Sequence, residues 1–169
     1  MRTEKIENWL AFGLNDQQEG RFRQAHLKTD IALTRIGALL LLAPLVAFGF
    51  NDYGFFGLTW RFWGLTILRF GFIVYTVLFL KSIGKLTDYR SYDKAGLAWG
   101  LFAALFVLVI AATRPHAFLA HTTMVVFAAF LTVLAVPNRF TNQLLLYALY
   151  SIGESIVIVS GIRMSPQAS

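Results

Sequence analysis

The sequence predicts an all-α integral membrane protein, a five-transmembrane-helix bundle preceded by a cytoplasmic amphipathic helix and stem. Three observations lead there. Of the 169 residues 57% are hydrophobic and 14% charged, and the mean hydropathy of +0.60 is too apolar for a soluble globular domain. The charged residues are bunched, leaving five apolar runs of about 20 residues, the length that crosses the hydrocarbon of a bilayer. These runs are apolar all round, whereas the strands of a transmembrane barrel would alternate at period two. Cysteine is absent, which excludes a disulfide framework, a thiolate metal site and a cysteine nucleophile.

Residues 1–30 are polar and carry Arg2, Lys5, Arg21, Arg23 and Lys28, so they do not read as a cleavable signal peptide. Ile6, Trp9, Leu10 and Leu14 recur at helical spacing and predict a short amphipathic helix at the membrane surface, with Trp9 as an anchor. Asp16-Gln-Gln-Glu19 resembles a capping box and predicts a new helix that runs through Phe22 and Leu27 into the first span as a continuous stem. The spans are expected at 31–50, 62–80, 95–113, 117–136 and 143–162, with 163–169 as a short tail.

Orientation follows from the basic residues. Ten lie at one end: the five above, Lys81, Lys85, Arg90 and Lys94 between the second and third spans, and Arg139 before the fifth. Three lie at the other: Arg61, Arg114 and Arg163. The positive-inside rule therefore places the N-terminus in the cytoplasm, and five crossings place the C-terminus outside. Arg35 snorkels toward the inner surface from the first span. The outer loop expected at 51–61, with Tyr53, Phe55, Phe56 and Trp60, and then Trp63, reads as an aromatic belt. Pro44 is expected to kink the first helix and free a carbonyl. Gly96-Leu-Ala-Trp-Gly100 presents a small-residue face that suits close helix packing, either within the chain or in an oligomer.

No phosphate-binding loop, zinc-spaced ligand set or nucleophile elbow appears. His26, His116 and His121 are not placed to face one another as axial haem ligands, and the basic residues sit at membrane boundaries rather than in a nucleic-acid-binding stripe. What remains is ionisable groups at membrane depth, which are costly there and mark candidate sites. Arg69 and Glu154 each lie about 12 Å, and His121 about 6 Å, from the outer surface by helix rise. Thr66, Thr76, Tyr147, Tyr150, Ser151 and Ser155 lie on or beside the same faces, and Asp52 and His116 are expected at the rim. This outer-half cluster supports two readings. One is a pocket for a ligand, a proton or a quinone headgroup; the other is a buried Arg69–Glu154 pair that holds helices in register.

Phe12, Asp16, Glu19, Phe22-Arg23, Asp30 and Arg35, then Phe48-Gly-Phe-Asn-Asp52, Arg69 and Pro137-Asn-Arg139-Phe140, resemble the N-terminal membrane module of bacterial membrane-bound adenylate cyclases and GGDEF-type diguanylate cyclases. The resemblance runs over about residues 12–162. It implies a sensor or anchor in the bacterial inner membrane, with six spans feeding a cytoplasmic catalytic domain through a coiled linker. This chain departs from that pattern in having neither the sixth span nor the cyclase, which is expected of a fragment, a stand-alone sensor module or an accessory subunit. The expected function is therefore a non-catalytic sensor or anchor module in the lipid bilayer, forming a homo-oligomer. The alternative is a structural subunit of a larger photosynthetic or respiratory complex, in contact with lipid, quinone or pigment.

Overall fold

The computed structural model describes residues 16–113 and 118–164. These form five helices and, among the described residues, no strand. They are α1 (Asp16–Phe56), α2 (Trp60–Ile83), α3 (Tyr89–Ala112), α4 (Phe118–Ala135) and α5 (Phe140–Met164). The all-helical class is as the sequence predicts, and α1, α2, α3 and α5 are long and apolar enough to cross a membrane. Trp9 and His116 lie outside the described residues, as does the side chain of His121.

α1 is 41 residues long, about 60 Å at 1.5 Å per residue, so a span and a stem of some four turns fit in one continuous helix. It runs through Pro44 without a break. Its far end corrects the expected loop at 51–61: the helix continues to Phe56, and the connection is the short turn before Trp60. Gly57 ends α1 at φ +56°, where its N–H donates to the Tyr53 carbonyl at 2.9 Å. A glycine meets this left-handed position without the Cβ clash other residues suffer.

α3 begins on Asp88, whose carboxylate accepts from the Ser91 N–H at 2.9 Å and the Ser91 hydroxyl at 3.2 Å. The backbone hydrogen bond leads in holding the Asp88 carboxyl below the usual carboxylate range. The cap is therefore present at neutral pH and is lost as pH falls through that depressed value.

α2 packs on α1 and α3, α5 packs on α3 and α4, and α4 also packs on α1. The centre is aromatic. Trp99 is fully buried, stacks on Phe79 at 5.4 Å and donates its indole N–H to the Thr76 hydroxyl at 3.1 Å; Phe72 stacks on Phe106 at 4.5 Å. Tyr92, also fully buried, shares a 2.6 Å hydrogen bond with Thr34. Trp99 and Tyr92 thus each find a polar partner on another helix, as an interior without water demands. Outside, Phe50, Trp60, Trp63, Ile67, Phe70 and many leucines are exposed, an arrangement that suits lipid and is unfavourable in water.

The small-residue face of α3 is occupied within the chain. A side chain at Gly96 would meet Asn138 and Val136 at 3.1 Å, and one at Gly100 would meet Leu146 of α5 at 2.7 Å. That contact leaves no open face here for an oligomer. Replacing both glycines with Leu overfills the seam between α3 and α5, at a cost of about 1–3 kcal/mol per site. The expected result is a clear fall in thermal stability in detergent; an unchanged melting curve would refute the close approach.

Candidate functional site

The polar side chains inside the bundle gather at both ends of the helices. At the end that carries the α1–α2 turn, α2 presents Arg69 toward α1, where the guanidinium is buried. Its Nη2 lies 2.5 Å from Asp52 Oδ2 and its Nη1 donates to the Leu45 carbonyl at 2.9 Å. Asp52 is only 1% exposed. It is therefore not a rim residue, because α1 continues past it to Phe56 and turns it inward against α2.

The expected Arg69–Glu154 pair is not formed. Equal depth is not proximity: α2 packs on α1 and α3 whereas α5 packs on α3 and α4, so the acid that reaches Arg69 comes from α1. Nor does Arg69 take the carbonyl released by proline. The missing N–H of Pro44 releases the carbonyl four residues back, at Leu40, while Arg69 binds that of Leu45. Thr66 turns back on its own helix, donating to the Phe62 carbonyl at 2.9 Å.

Glu154 is buried in a second place, on α5. One turn earlier on that helix, buried Tyr150 shares a 3.3 Å hydrogen bond with Thr132 of α4. Ser151 does not join this group. It is exposed, as are Tyr147 and Ser155, because they lie on the face of α5 turned away from α3 and α4. The single cluster expected from depth is thus two groups, Arg69 with Asp52 and Tyr150 with Thr132 beside Glu154. Trp60 and Trp63 stand exposed at the start of α2, and Trp60 lies beneath the Arg61 guanidinium, 5.7 Å from its ring centroid.

The more extensive network lies at the other end, where the stem of α1 crosses the loops. Asp93, buried one turn into α3, binds the Arg23 guanidinium of the stem. Arg139, in the α4–α5 loop, has its Nε 3.9 Å from Asp93 Oδ2 and 3.8 Å from Glu19 Oε1 on the stem. Buried Asn138 donates to the Asp93 carbonyl at 2.9 Å, while its own oxygen accepts from the Arg139 N–H at 2.7 Å and from Asn142 at 2.8 Å. Gln24 on the stem donates to the Thr87 carbonyl at 2.8 Å and accepts from the Tyr89 N–H at 3.2 Å. Three stem residues, Glu19, Arg23 and Gln24, therefore tie α1 to both loops of this end.

Asp93 and Tyr92 were not singled out from the sequence. A faint signal was there: Asp93 sits between basic neighbours at the mouth of an apolar run, where an acid needs a reason to stay.

Two arginines share the Asp93 carboxylate, and no set of His, Asp and Glu among the described residues is grouped to hold a metal ion. The chemistry this arrangement offers is electrostatic docking of one helix on others. No family model, curated protein or solved structure matches the chain.

Proposed function

We propose that the chain is a non-catalytic membrane module of five spans, with its N-terminus in the cytoplasm, in which the stem of α1 reports how the spans are packed. The observation that carries this reading is Asp93, which binds stem residue Arg23 and lies beside Arg139 of the α4–α5 loop. A shift of α3 against α5 moves the anchor on which the stem rests. Arg69 and Asp52 couple α1 and α2 at the opposite end, so the same helix is held at both ends by charge. The resemblance to cyclase membrane modules points the same way, since Glu19, Arg23, Asp52, Arg69 and Arg139 carry both the resemblance and the ion pairs.

The second reading, an accessory subunit of a larger membrane complex, is favoured by the exposed side of α5. There Ser151, Ser155 and Ser160 alternate with Ile152, Ile156 and Val159 along a shallow depression, a surface that suits another helix better than acyl chains. Extraction from native membranes in mild detergent separates the two. A sensor module is expected to emerge alone or with copies of itself, and a stoichiometric complex of other chains would replace that reading by the second.

Orientation is checked in the same cells. A single cysteine at exposed Thr87, whose side chain makes no bond in the stem network, is expected to resist an impermeant thiol reagent until the cells are opened. Labelling in intact cells would reverse the topology.

A further inference from the structure

At the stem end, three of the cations that have no acid among the described residues come together where α1 meets the end of α2. Arg35 lies on the exposed side of α1, and Lys81 and Lys85 flank the C-terminus of α2. None of the three has a hydrogen bond or ion pair among the described residues. The carboxylates of this end whose side chains are described have cationic or capping partners elsewhere. Glu19 faces Arg139, Asp93 faces Arg23 and Arg139, Asp88 caps α3 through Ser91, and Asp30 has Arg23 and His26 as its cationic neighbours.

Gly84 leaves room for the arginine. Its guanidinium rests directly over Gly84, so close that a side chain there would push this flexible end aside. Gly84 has an ordinary right-handed backbone conformation, φ −64° and ψ −15°, so its requirement is for room and not for a glycine's conformational freedom. Arg35 thereby crosses from α1 to the end of α2, where the helix dipole also favours a cation. One turn deeper into the bundle on the same faces stand Leu39 on α1 and Val77 and Leu78 on α2, all exposed. A positive rim above an apolar, outward-facing strip matches the two halves of a phospholipid.

We propose that Arg35, Lys81 and Lys85 form a binding site for the headgroup of an anionic glycerophospholipid of the phosphatidylglycerol type, whose acyl chains lie along Leu39, Val77 and Leu78. The phosphate takes the place of the missing carboxylate, bridging α1 and α2 at the end opposite Arg69–Asp52. Headgroups with net negative charge are preferred, because a zwitterionic lipid carries its own cation and gains less from three more. The site depends on which end of the bundle is basic and not on the sensor reading or on the leaflet that end faces.

Native mass spectrometry of the full chain, with phosphatidylglycerol or phosphatidylcholine of identical acyl chains added, tests this. One phosphatidylglycerol per chain is expected to be retained in clear preference to phosphatidylcholine. Each cation removed should weaken that retention roughly fivefold near a membrane surface, so Lys81→Gln with Lys85→Gln should abolish most of the preference. The paired control Arg90→Gln with Lys94→Gln, which removes two cations of the same end, should leave it intact. Lys81 and Lys85 are exposed and have no partner among the described residues, so their double variant is readable even if Arg35→Gln fails to fold; Gly84→Val, which displaces the guanidinium, supplies an independent loss. Equal retention of the two lipids, or equal losses in the test and control pairs, would overturn the proposal.

Discussion

Replacing Asp52 with Leu is expected to destabilise the bundle by about 3–5 kcal/mol, and replacing Arg69 with Leu by a similar amount, because each change takes the ionic partner from a buried charge. Both side chains are nearly inaccessible, and Arg69 has one other acceptor, the Leu45 carbonyl, which cannot neutralise it. The double variant is expected to be much closer to the parent than either single one, since two apolar side chains then replace two charges. Reversible unfolding in mixed micelles measures all three. The cycle should show a coupling of about 1–3 kcal/mol between positions 52 and 69, whereas Arg69→Leu and Glu154→Leu should add within about 0.5 kcal/mol, because their helices share no packed face. Additive losses for 52 and 69 would remove the pair from the account.

Asp93→Leu should have the second largest effect. It removes the only carboxylate bound to Arg23 among the described residues, and a hydrogen bond to a charged group is worth about 1.5–3 kcal/mol. The loss should fall on the stem before the bundle: the Asn138 bond is to the Asp93 backbone and survives the substitution. Arg139→Gln should cost far less, about 0–1 kcal/mol, because that side chain is 41% exposed and its two acids lie 3.8 and 3.9 Å away. Amide hydrogen exchange in residues 17–30 distinguishes local release of the stem from global unfolding.

The helical class was legible because hydropathy and length are local properties. Twenty apolar residues can satisfy their backbone in lipid in few ways, so the runs read directly as helices. Boundaries were harder: residues 81–94, expected to lie between the second and third spans, hid the start of α3 at Tyr89, where Asp88 caps the helix. At the far end of α1 the aromatic belt hid a further turn and a half of helix, since Tyr53 and Phe55 suit an interface in any conformation. Partners were the hardest to read. Helix rise gave Arg69 a depth but no direction across the bundle, and direction is set by which helices pack, information spread over Trp99, Phe72, Gly100 and Leu146. The same limit hid Asp93, whose importance comes from Arg23, 70 positions earlier. The glycines at 96 and 100 were readable as a close contact, while the choice between an internal and an external partner rested on Leu146 and Asn138.

Central to this account is that the stem is fixed to the loops through Asp93 and is not a free extension of the first span. The absence of native cysteine allows a direct measurement, with spin labels on cysteines introduced at Ala25 and Thr87, both exposed. In lipid nanodiscs, electron–electron double resonance is expected to give one narrow distance distribution for the parent, and a broader, longer one once Asp93→Asn is added. A broad distribution in the parent, or a narrow one that Asp93→Asn leaves unchanged, would contradict the docking of the stem.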